Sequence, residues 1–480
     1  MPSTEAVASR SRIWTLVLVS VGLFMVVLDN LIVSVALPSI HRDLHATIQS
    51  LEWVVNAYVL SYAVLLLTGA ALGDRFGRRR MFVFGIILFT VASAGSALAP
   101  NMGVLIATRA LQGIGGAIVT PLTLTLLADA FPPEQRGLAL GVWSGISGVA
   151  VALGPLVGGA VIQLSTWHWI FWINVPVGIA LAPAAARRLK ESYGPERGLD
   201  LPGLGLASTG LFGLIFGLIR AQTLGWSAVE VVISLAAGIV LLVAFVAQEL
   251  RSSDPMLPMA FFKRRSFAVT SVVSLAMYFG MFGSIFFMSQ YLQNVLGNSP
   301  FEAGLKLLVW TGAIMLVSPA AGYFAERFGS RVFMVTGLVL QAIALAWLAS
   351  EAGVGQSYGS MVVPFILGGA GMALVFAPAA SAVLASVRTD QTGQASGATN
   401  AIRELGGVLG IAVLSTIFSA HGSFASGQAY VNGLKPTMLV GAAVLLAGAV
   451  VAFVVRFDTR AQSASVHATV PARASAPSAA

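Results

Sequence analysis

Long apolar runs alternate with short polar segments along almost the whole chain. A helix that crosses a bilayer needs about 20 mostly apolar residues. Runs of that kind occur at about 13–37, 51–72, 81–98, 103–127, 138–163, 167–186, 201–220, 227–248, 266–291, 303–324, 332–350, 358–384, 401–420 and 437–456. The pattern predicts fourteen membrane helices joined by loops of no more than about twenty residues. The first run is long, contains Asp29 and lacks a convincing small-residue cleavage site, so it reads as a retained helix and not as a removable signal peptide. The stretch after Phe457 is rich in Ala, Ser and Pro, a composition that predicts disorder.

Composition agrees with the pattern. Of 480 residues 57% are hydrophobic, the mean hydropathy is +0.86 and only 10% are charged, against about 25% in a soluble domain. The net charge of +8 comes from basic residues that sit between apolar runs. It therefore reports loop topology and gives no reason to expect a nucleic-acid partner. Cysteine is absent, so no disulfide or thiolate chemistry is possible. The five histidines, His41, His45, His168, His421 and His467, fall in expected loops or the tail without metal-ligand spacing, so no metal is expected. No glycine precedes any of the four lysines, which excludes the phosphate-binding loop of an ATP-driven pump. The excess of Arg over Lys, 23 to 4, points to a GC-rich bacterial genome.

Lysine and arginine set an orientation. With the N-terminus inside, 22 of them fall in inner segments, including Arg75, Arg78, Arg79, Arg80 and Arg403, and only Arg42, Arg220, Lys306 and Lys435 fall outside. The positive-inside rule then places both termini in the cytoplasm of a multi-pass protein of the bacterial plasma membrane. Arg109 lies within a span and counts for neither side.

The chain also repeats itself. Asp74-Arg-Phe-Gly-Arg-Arg79 follows the second span and Glu326-Arg-Phe-Gly-Ser-Arg331 the tenth, at an offset of 252 residues that Gly85 and Gly337 share. The expected domains are a tail at 1–12, a six-helix half at 13–186, a linker with two further membrane helices at 187–265, a second six-helix half at 266–456 and a tail at 457–480. Repeated halves are a transporter signature, with the substrate site near the midplane where they meet.

Several motifs follow in order: "LDNLIVSVALP" from Leu28, "GAALGDRFGRRR" from Gly69, "RALQGIGGA" from Arg109, "GPLVGG" from Gly154, "FWINVPVG" from Phe171 and "NAIRELGGVLG" from Asn400. Over residues 13–456 the chain resembles the major facilitator superfamily, and within it the fourteen-helix drug–proton antiporters of the quaternary-ammonium and multidrug efflux type. The resemblance implies an all-α membrane protein with two six-helix halves and two extra central helices. It implies a monomer embedded in lipid that needs no cofactor beyond the proton gradient. Its partners would be protons and a small-molecule substrate.

Each motif has a physical reading beside that resemblance. Asp29 is the one charged side chain between Ile13 and Leu37, and a charge at mid-membrane costs roughly 2.5–3.5 kcal/mol on insertion scales. Arg109 lies at a compatible depth in the fourth span. Burial favours a neutral carboxyl group and a nearby guanidinium favours a carboxylate, so the pair can either carry a proton or fix helix packing. In the loop Gly73, Asp74, Arg75, Gly77, Arg78 and Arg79, the glycine permits a tight turn, and Asp74 can pair with an arginine or face a helix N-terminus. The resemblance makes this loop a latch of the inner gate; a purely topogenic loop is the plainer reading. Gly154, Pro155, Gly158 and Gly159 of the fifth span combine a bend with close helix approach, and the resemblance assigns them the closing of a leak path.

The substrate surface is less marked. Asn30, Tyr58, Tyr62, Tyr278, Phe282, Phe286 and Trp310 are candidates for the cavity wall, though each residue type is as often core or lipid-facing. Trp167, Trp169 and Trp172 read as an interfacial belt. In the family that the chain resembles, some fourteen-helix members that export divalent cations carry a second acid within the tenth helix. This chain has Glu302 near the outer end of that helix and none deeper, which argues against dication export. The leading expectation is a proton-coupled exporter of lipophilic or cationic toxic compounds that confers resistance, and not an enzyme. The alternatives are an exporter of one endogenous metabolite or antibiotic, an uptake system, and a membrane receptor or enzyme, for which no soluble domain or catalytic constellation is visible.

Overall fold

The computed structural model describes residues 4–194 and 200–455. The expected C-terminal tail, and Arg197 in the linker, lie outside the described residues. The helices in chain order are α1 Thr4–Asp43, α2 Ile48–Phe76, α3 Arg78–Ala97, α4 Met102–Ala130, α5 Pro133–Leu164, α6 Trp169–Trp172, α7 Asn174–Arg188, α8 Leu201–Leu224, α9 Val229–Arg251, α10 Ala260–Lys263, α11 Arg265–Asn294, α12 Pro300–Phe328, α13 Ser330–Glu351, α14 Gly359–Ala385, α15 Thr392–His421 and α16 Gly427–Val454. Among the described residues there is no strand. Thirteen stretches are long and apolar enough to cross a membrane, α6 and α7 together forming one of them. The count reaches fourteen when the two segments of α5, Pro133–Val151 and Leu156–Leu164, bent by 40°, are taken as one span. The bend falls next to Pro155, whose side chain lies outside the described residues.

Two helices extend beyond their apolar runs. α1 begins at Thr4, within the expected tail, and α15 begins at Thr392, nine residues before the run at 401. Hydropathy marks only where a helix meets hydrocarbon; the backbone ladder continues as long as the next residues permit it. The second extension has a consequence. Arg403, counted above among the inner-loop arginines, lies well inside α15 and is 1% exposed.

Local chemistry sets the helix starts. Thr47, Asn101 and Ser426 accept a backbone N–H in the first turn of α2, α4 and α16, and Ser299 forms a capping box with Glu302 on α12. Gly77 and Gly329, 252 residues apart, each take a positive φ, of 102° and 89°, and close the α2–α3 and α12–α13 turns. A residue with a Cβ would be strained at either position.

The repeat is structural. In the N-terminal half α2 and α3 pack on α4, and α1 packs on α5; in the C-terminal half α12 and α13 pack on α14, and α11 packs on α15. The halves meet along α5 against α12 and α2 against α15, which exchange under the same symmetry. α8 and α9 pack on each other, and α8 alone leans on α2 and α15. Val232, Ile233, Ile239, Val240, Val243 and Val246 of α9 are exposed. An exposed apolar face that long on a membrane-spanning helix is suited to contact with lipid or with another apolar surface.

Small residues permit the closest approaches. A Cβ on Gly137 would overlap the Gly322 carbonyl, and one on Gly141 would sit 2.6 Å from that of Ser318, so α5 and α12 touch backbone to backbone. Gly154 and Gly158 face Leu31 and Ile32 of α1, whereas Gly159 faces Phe301 of α12. The glycines of "GPLVGG" therefore serve two contact faces of α5 and not one. Trp169 is 54% exposed, in keeping with an interfacial belt. Trp167 is not part of that belt: it is 3% exposed and donates its indole N–H to Asp43 at 2.8 Å.

Candidate functional site

Three groups of residues converge on the axis between the halves: a buried ion pair, a cavity, and a charged cluster at the end of the bundle that carries the Gly73–Arg80 loop, called here the basic end.

The ion pair joins α1 to α4. Arg109 donates from Nη1 to Asp29 Oδ2, and both side chains are fully buried. Asp29 Oδ1 accepts from Asn174 Nδ2 at 2.7 Å and from Gln112 Nε2 at 3.2 Å. These partners are held in turn. Asn174 also donates to Ser93 Oγ at 3.1 Å, and Ser93 donates to the Phe171 carbonyl at 2.9 Å. Gln112 Oε1 accepts from Arg109 at 3.0 Å and from Ser96 at 3.1 Å. Arg109 also reaches the Val54 carbonyl from Nε at 3.2 Å and lies 4.2 Å from the ring centre of Tyr58. Five elements, α1, α2, α3, α4 and α7, thus surround one carboxylate. Removing one partner from a buried pair costs about 3–5 kcal/mol, so the network is strongly cross-linked in this arrangement.

Asp29 and Arg109 were legible as intramembrane charges. Gln112, Asn174 and Ser93 were not singled out, although Gln112 and Asn174 lie inside quoted motifs. The available signal was an amide in a run otherwise apolar, three residues from Arg109 and thus on the same helix face.

The cavity, of about 70 Å³, lies between the halves. Asn30, Tyr58 and Tyr62 line it from one half, and Tyr278 and Phe282 from the other. Phe286 and Trp310 do not line it. Phe286 is 41% exposed, and Trp310 is buried between α12 and α14 against Gly368 and Phe365. Trp143, Phe376, Asn400 and Glu404 complete much of the wall. Asp29 is not part of it, although its neighbour Asn30 is: α1 turns the carboxylate toward α4 and the amide toward the cavity. Drug-sized ligands usually occupy pockets of about 300–1,000 Å³, so the walls must part before such a molecule enters.

At the basic end, Arg78 is 1% exposed and lies between two carboxylates, donating to Asp74 Oδ1 and Asp129 Oδ2 at 2.8 Å each. It is not a solvated topogenic arginine, in contrast to Arg75, which is exposed. Asp74 is itself buried, and among the described residues its second oxygen has no hydrogen-bond partner. A Cβ on Gly393, in the first turn of α15, would overlap that carboxylate, so Asp74 sits against a helix N-terminus of the other half. Gly73 allows the turn to press on Leu122, where a Cβ would overlap. Arg79 donates its backbone N–H to Glu191 Oε1 at 2.8 Å, and its side chain lies 3.5 Å from the same carboxylate.

The repeat continues here. Glu326, the counterpart of Asp74, accepts the backbone N–H of Gly137 near the start of α5. Each half thus sends one acid to a helix start of the other, where the helix dipole favours negative charge.

Known proteins place the chain. The family model of the Major Facilitator Superfamily matches residues 19–262, 201–411 and 270–478. The Tetracenomycin C resistance and export protein of Streptomyces glaucescens is 36% identical over 427 residues, covering 87% of this chain and 78% of its own length. The Puromycin resistance protein pur8 of Streptomyces alboniger is 34% identical over 94% of this chain and 93% of its own. The Multidrug resistance protein Stp of Mycobacterium tuberculosis is 34% identical over 86% and 77%. Among solved structures, the human organic anion transporter MFSD10 superposes with a TM-score of 0.68 at 14% identity, covering 92% of this chain and 99% of that one. The proton:xylose symporter XylE superposes with a TM-score of 0.66 at 14% identity, over 92% and 95%. At that identity the structural likeness speaks for the fold; the family model and the relatives' sequences, with the fold and the repeated glycine turn, establish that this multi-pass membrane protein is a transporter of the major facilitator superfamily.

Proposed function

We propose that the protein exports lipophilic, drug-like compounds in exchange for protons, with the basic end in the cytoplasm and Asp29 as the proton carrier. The observation that carries this reading is the Asp29 network. Asp29 is the one charged side chain in the apolar run of α1, paired with Arg109, adjacent to the cavity and walled off from it. Relatives named for drug resistance and export support the direction of transport.

The chemistry follows from donor counting. Arginine has no acceptor, so a protonated Asp29 cannot donate toward Arg109. A proton on Asp29 removes the negative charge that Arg109 is paired with, so protonation weakens the pair. Protonation thereby loosens the link between α1 and α4, two helices of the N-terminal half. In the closed arrangement the pair is complete. In an open one, water and the proton reach Asp29, the pair loosens and the basic end is released. Asp74 and Glu326 hold the basic end shut from opposite halves.

The test is proton release from energised everted vesicles on addition of a panel of lipophilic compounds, with and without Asp29→Asn. Compound-dependent release in the wild type and none in the variant supports the reading. Transport that persists without a proton gradient would remove proton coupling, and inward accumulation in intact cells would reverse the direction.

A further inference from the structure

Two acids meet away from Asp29, where α8 starts and α9 ends, beside the basic end. Asp200 caps α8 and accepts the Gly203 N–H at Oδ1, 2.8 Å away. Glu249, near the end of α9, is 3% exposed and accepts the Leu257 N–H at Oε2, 2.9 Å away. Each acid thus uses one oxygen. The other oxygens, Asp200 Oδ2 and Glu249 Oε1, are buried, and among the described residues neither has a hydrogen-bond partner. They converge on Gly203: a Cβ there would lie 2.7 Å from each of them. Two carboxyl oxygens therefore face one small space that the glycine leaves free.

Two carboxylates so placed cannot both stay ionised, because buried like charges repel and neither can donate to the other. One proton resolves both problems: it removes one charge and supplies the missing donor. A metal ion suits the space less well, since among the described residues no third acid or histidine joins the two. Among those residues Asp200 is also the one charged group that acts on Glu249. Arg251 and Asp254, the next charges along the chain, are exposed, and Arg197, three residues before Asp200, lies outside the described residues. The pair is connected to the other half of the protein. Glu249 fixes the Leu257 N–H, and two residues earlier the Pro255 carbonyl accepts Gln394 Nε2 of α15 at 3.2 Å. Gln394 follows Gly393, the residue against which Asp74 packs.

We infer that Asp200 and Glu249 share one proton, and that this carboxyl pair is a proton-binding site separate from Asp29 that fastens residues 255–257 to the start of α15. The sign of the pH dependence follows from the proton's two tasks. The contact exists at low pH and is lost as the pH rises through release of the shared proton, when the bare carboxylates repel and the ends of α8 and α9 part. The two extra helices then no longer hold residues 255–257 against the first turn of α15. The site needs neither a proton gradient nor an exported compound.

A lipophilic carbodiimide, which attacks protonated carboxyl groups, tests this on the purified full-length protein. In the wild type Glu249 should be labelled, as read by mass spectrometry, and the labelling should fall as the pH rises. In Asp200→Asn the amide keeps the α8 cap and donates to Glu249 in place of the proton, so the midpoint of Glu249 labelling should move down by about one pH unit or more. Arg197→Gln should leave the midpoint where it is. Glu249→Gln supplies the donor at every pH. Maleimide labelling of Ala70→Cys, which faces Gly397 of α15, should then match the Ala70→Cys parent at acidic pH and be slower than the parent at alkaline pH. A Glu249 that stays unlabelled at every pH, or a midpoint unmoved in Asp200→Asn, would overturn the shared proton. So would a midpoint that Arg197→Gln moves upward, which would put an arginine at the pair, or protection of Glu249 by sodium or calcium ions at fixed pH and ionic strength, which would put a metal ion there. Equal Ala70→Cys labelling in Glu249→Gln and its parent at alkaline pH would overturn the link to α15.

Discussion

Asp74→Asn is expected to open the basic end without unfolding the protein. The variant keeps the size of the side chain and removes its charge. Arg78 retains Asp129 at 2.8 Å, so no buried guanidinium is left without a counter-charge. What is lost is the interaction of Asp74 with the first turn of α15 and half of the charge around Arg78. A carboxylate at a helix N-terminus is worth about 0.3–1 kcal/mol when exposed and up to about 2 when partly buried. Asp74 is 8% exposed, so the upper part of that range applies. About 2 kcal/mol corresponds to roughly a thirtyfold change in an equilibrium constant. Only the closed basic end contains the contact, so the change falls on the balance between closed and open states. The chain has no cysteine, and Ala70, 2% exposed and facing Gly397 of α15, suits a single probe as Ala70→Cys. Maleimide labelling of that probe should accelerate by up to about thirtyfold in the Asp74→Asn background, with unchanged insertion and orientation. Equal labelling rates with normal transport would falsify the latch and leave the loop as a topogenic signal.

Further outcomes follow from the same geometry. Gly393→Ala should mimic Asp74→Asn, because the added Cβ displaces α15 from the carboxylate; the two changes combined should be less than additive in the labelling assay, since they act on one contact. Gly137→Ala should open the same end from the opposite half by separating α5 from Gly322, and unchanged Ala70→Cys labelling there would show that the Glu326 contact is not part of the gate. Asp29→Asn should reach the membrane and lose compound-driven proton release, whereas wild-type exchange in its vesicles would exclude Asp29. Asn174→Leu deletes one of three donors to Asp29, at a cost of about 1–3 kcal/mol in an unsatisfied buried group; its proton exchange should be slowed and displaced in pH, and an unaltered pH profile would make Asn174 a packing residue only.

Much of this protein was determined locally. Runs of apolar residues long enough for a bilayer must become helices there, because unpaired backbone groups cannot be left in hydrocarbon. The 252-residue repeat specified two halves and the glycine turn in each, since a positive φ at Gly77 and Gly329 is a local demand of the chain. Asp29 and Arg109 stood out because a charge is rare in an apolar run. Tertiary structure decided which way each side chain looks and what it meets. A helix has a full circle of directions, and only packing shows that Asp29 faces Gln112 and Asn174 while Asn30 faces the cavity. Arg403 and Glu404 were hidden for a related reason. Hydropathy placed them at the edge of a loop, where arginine is ordinary, and only the continuation of α15 back to Thr392 carried them inside. Phe286 and Trp310 had the composition of cavity residues and the wrong azimuth. Whether an acid carries a proton, grips a neighbouring helix or meets a substrate depends on the partners that converge on it, and those come from distant helices, 145 residues away in the chain for Asn174 at Asp29 and 189 for Gly137 at Glu326.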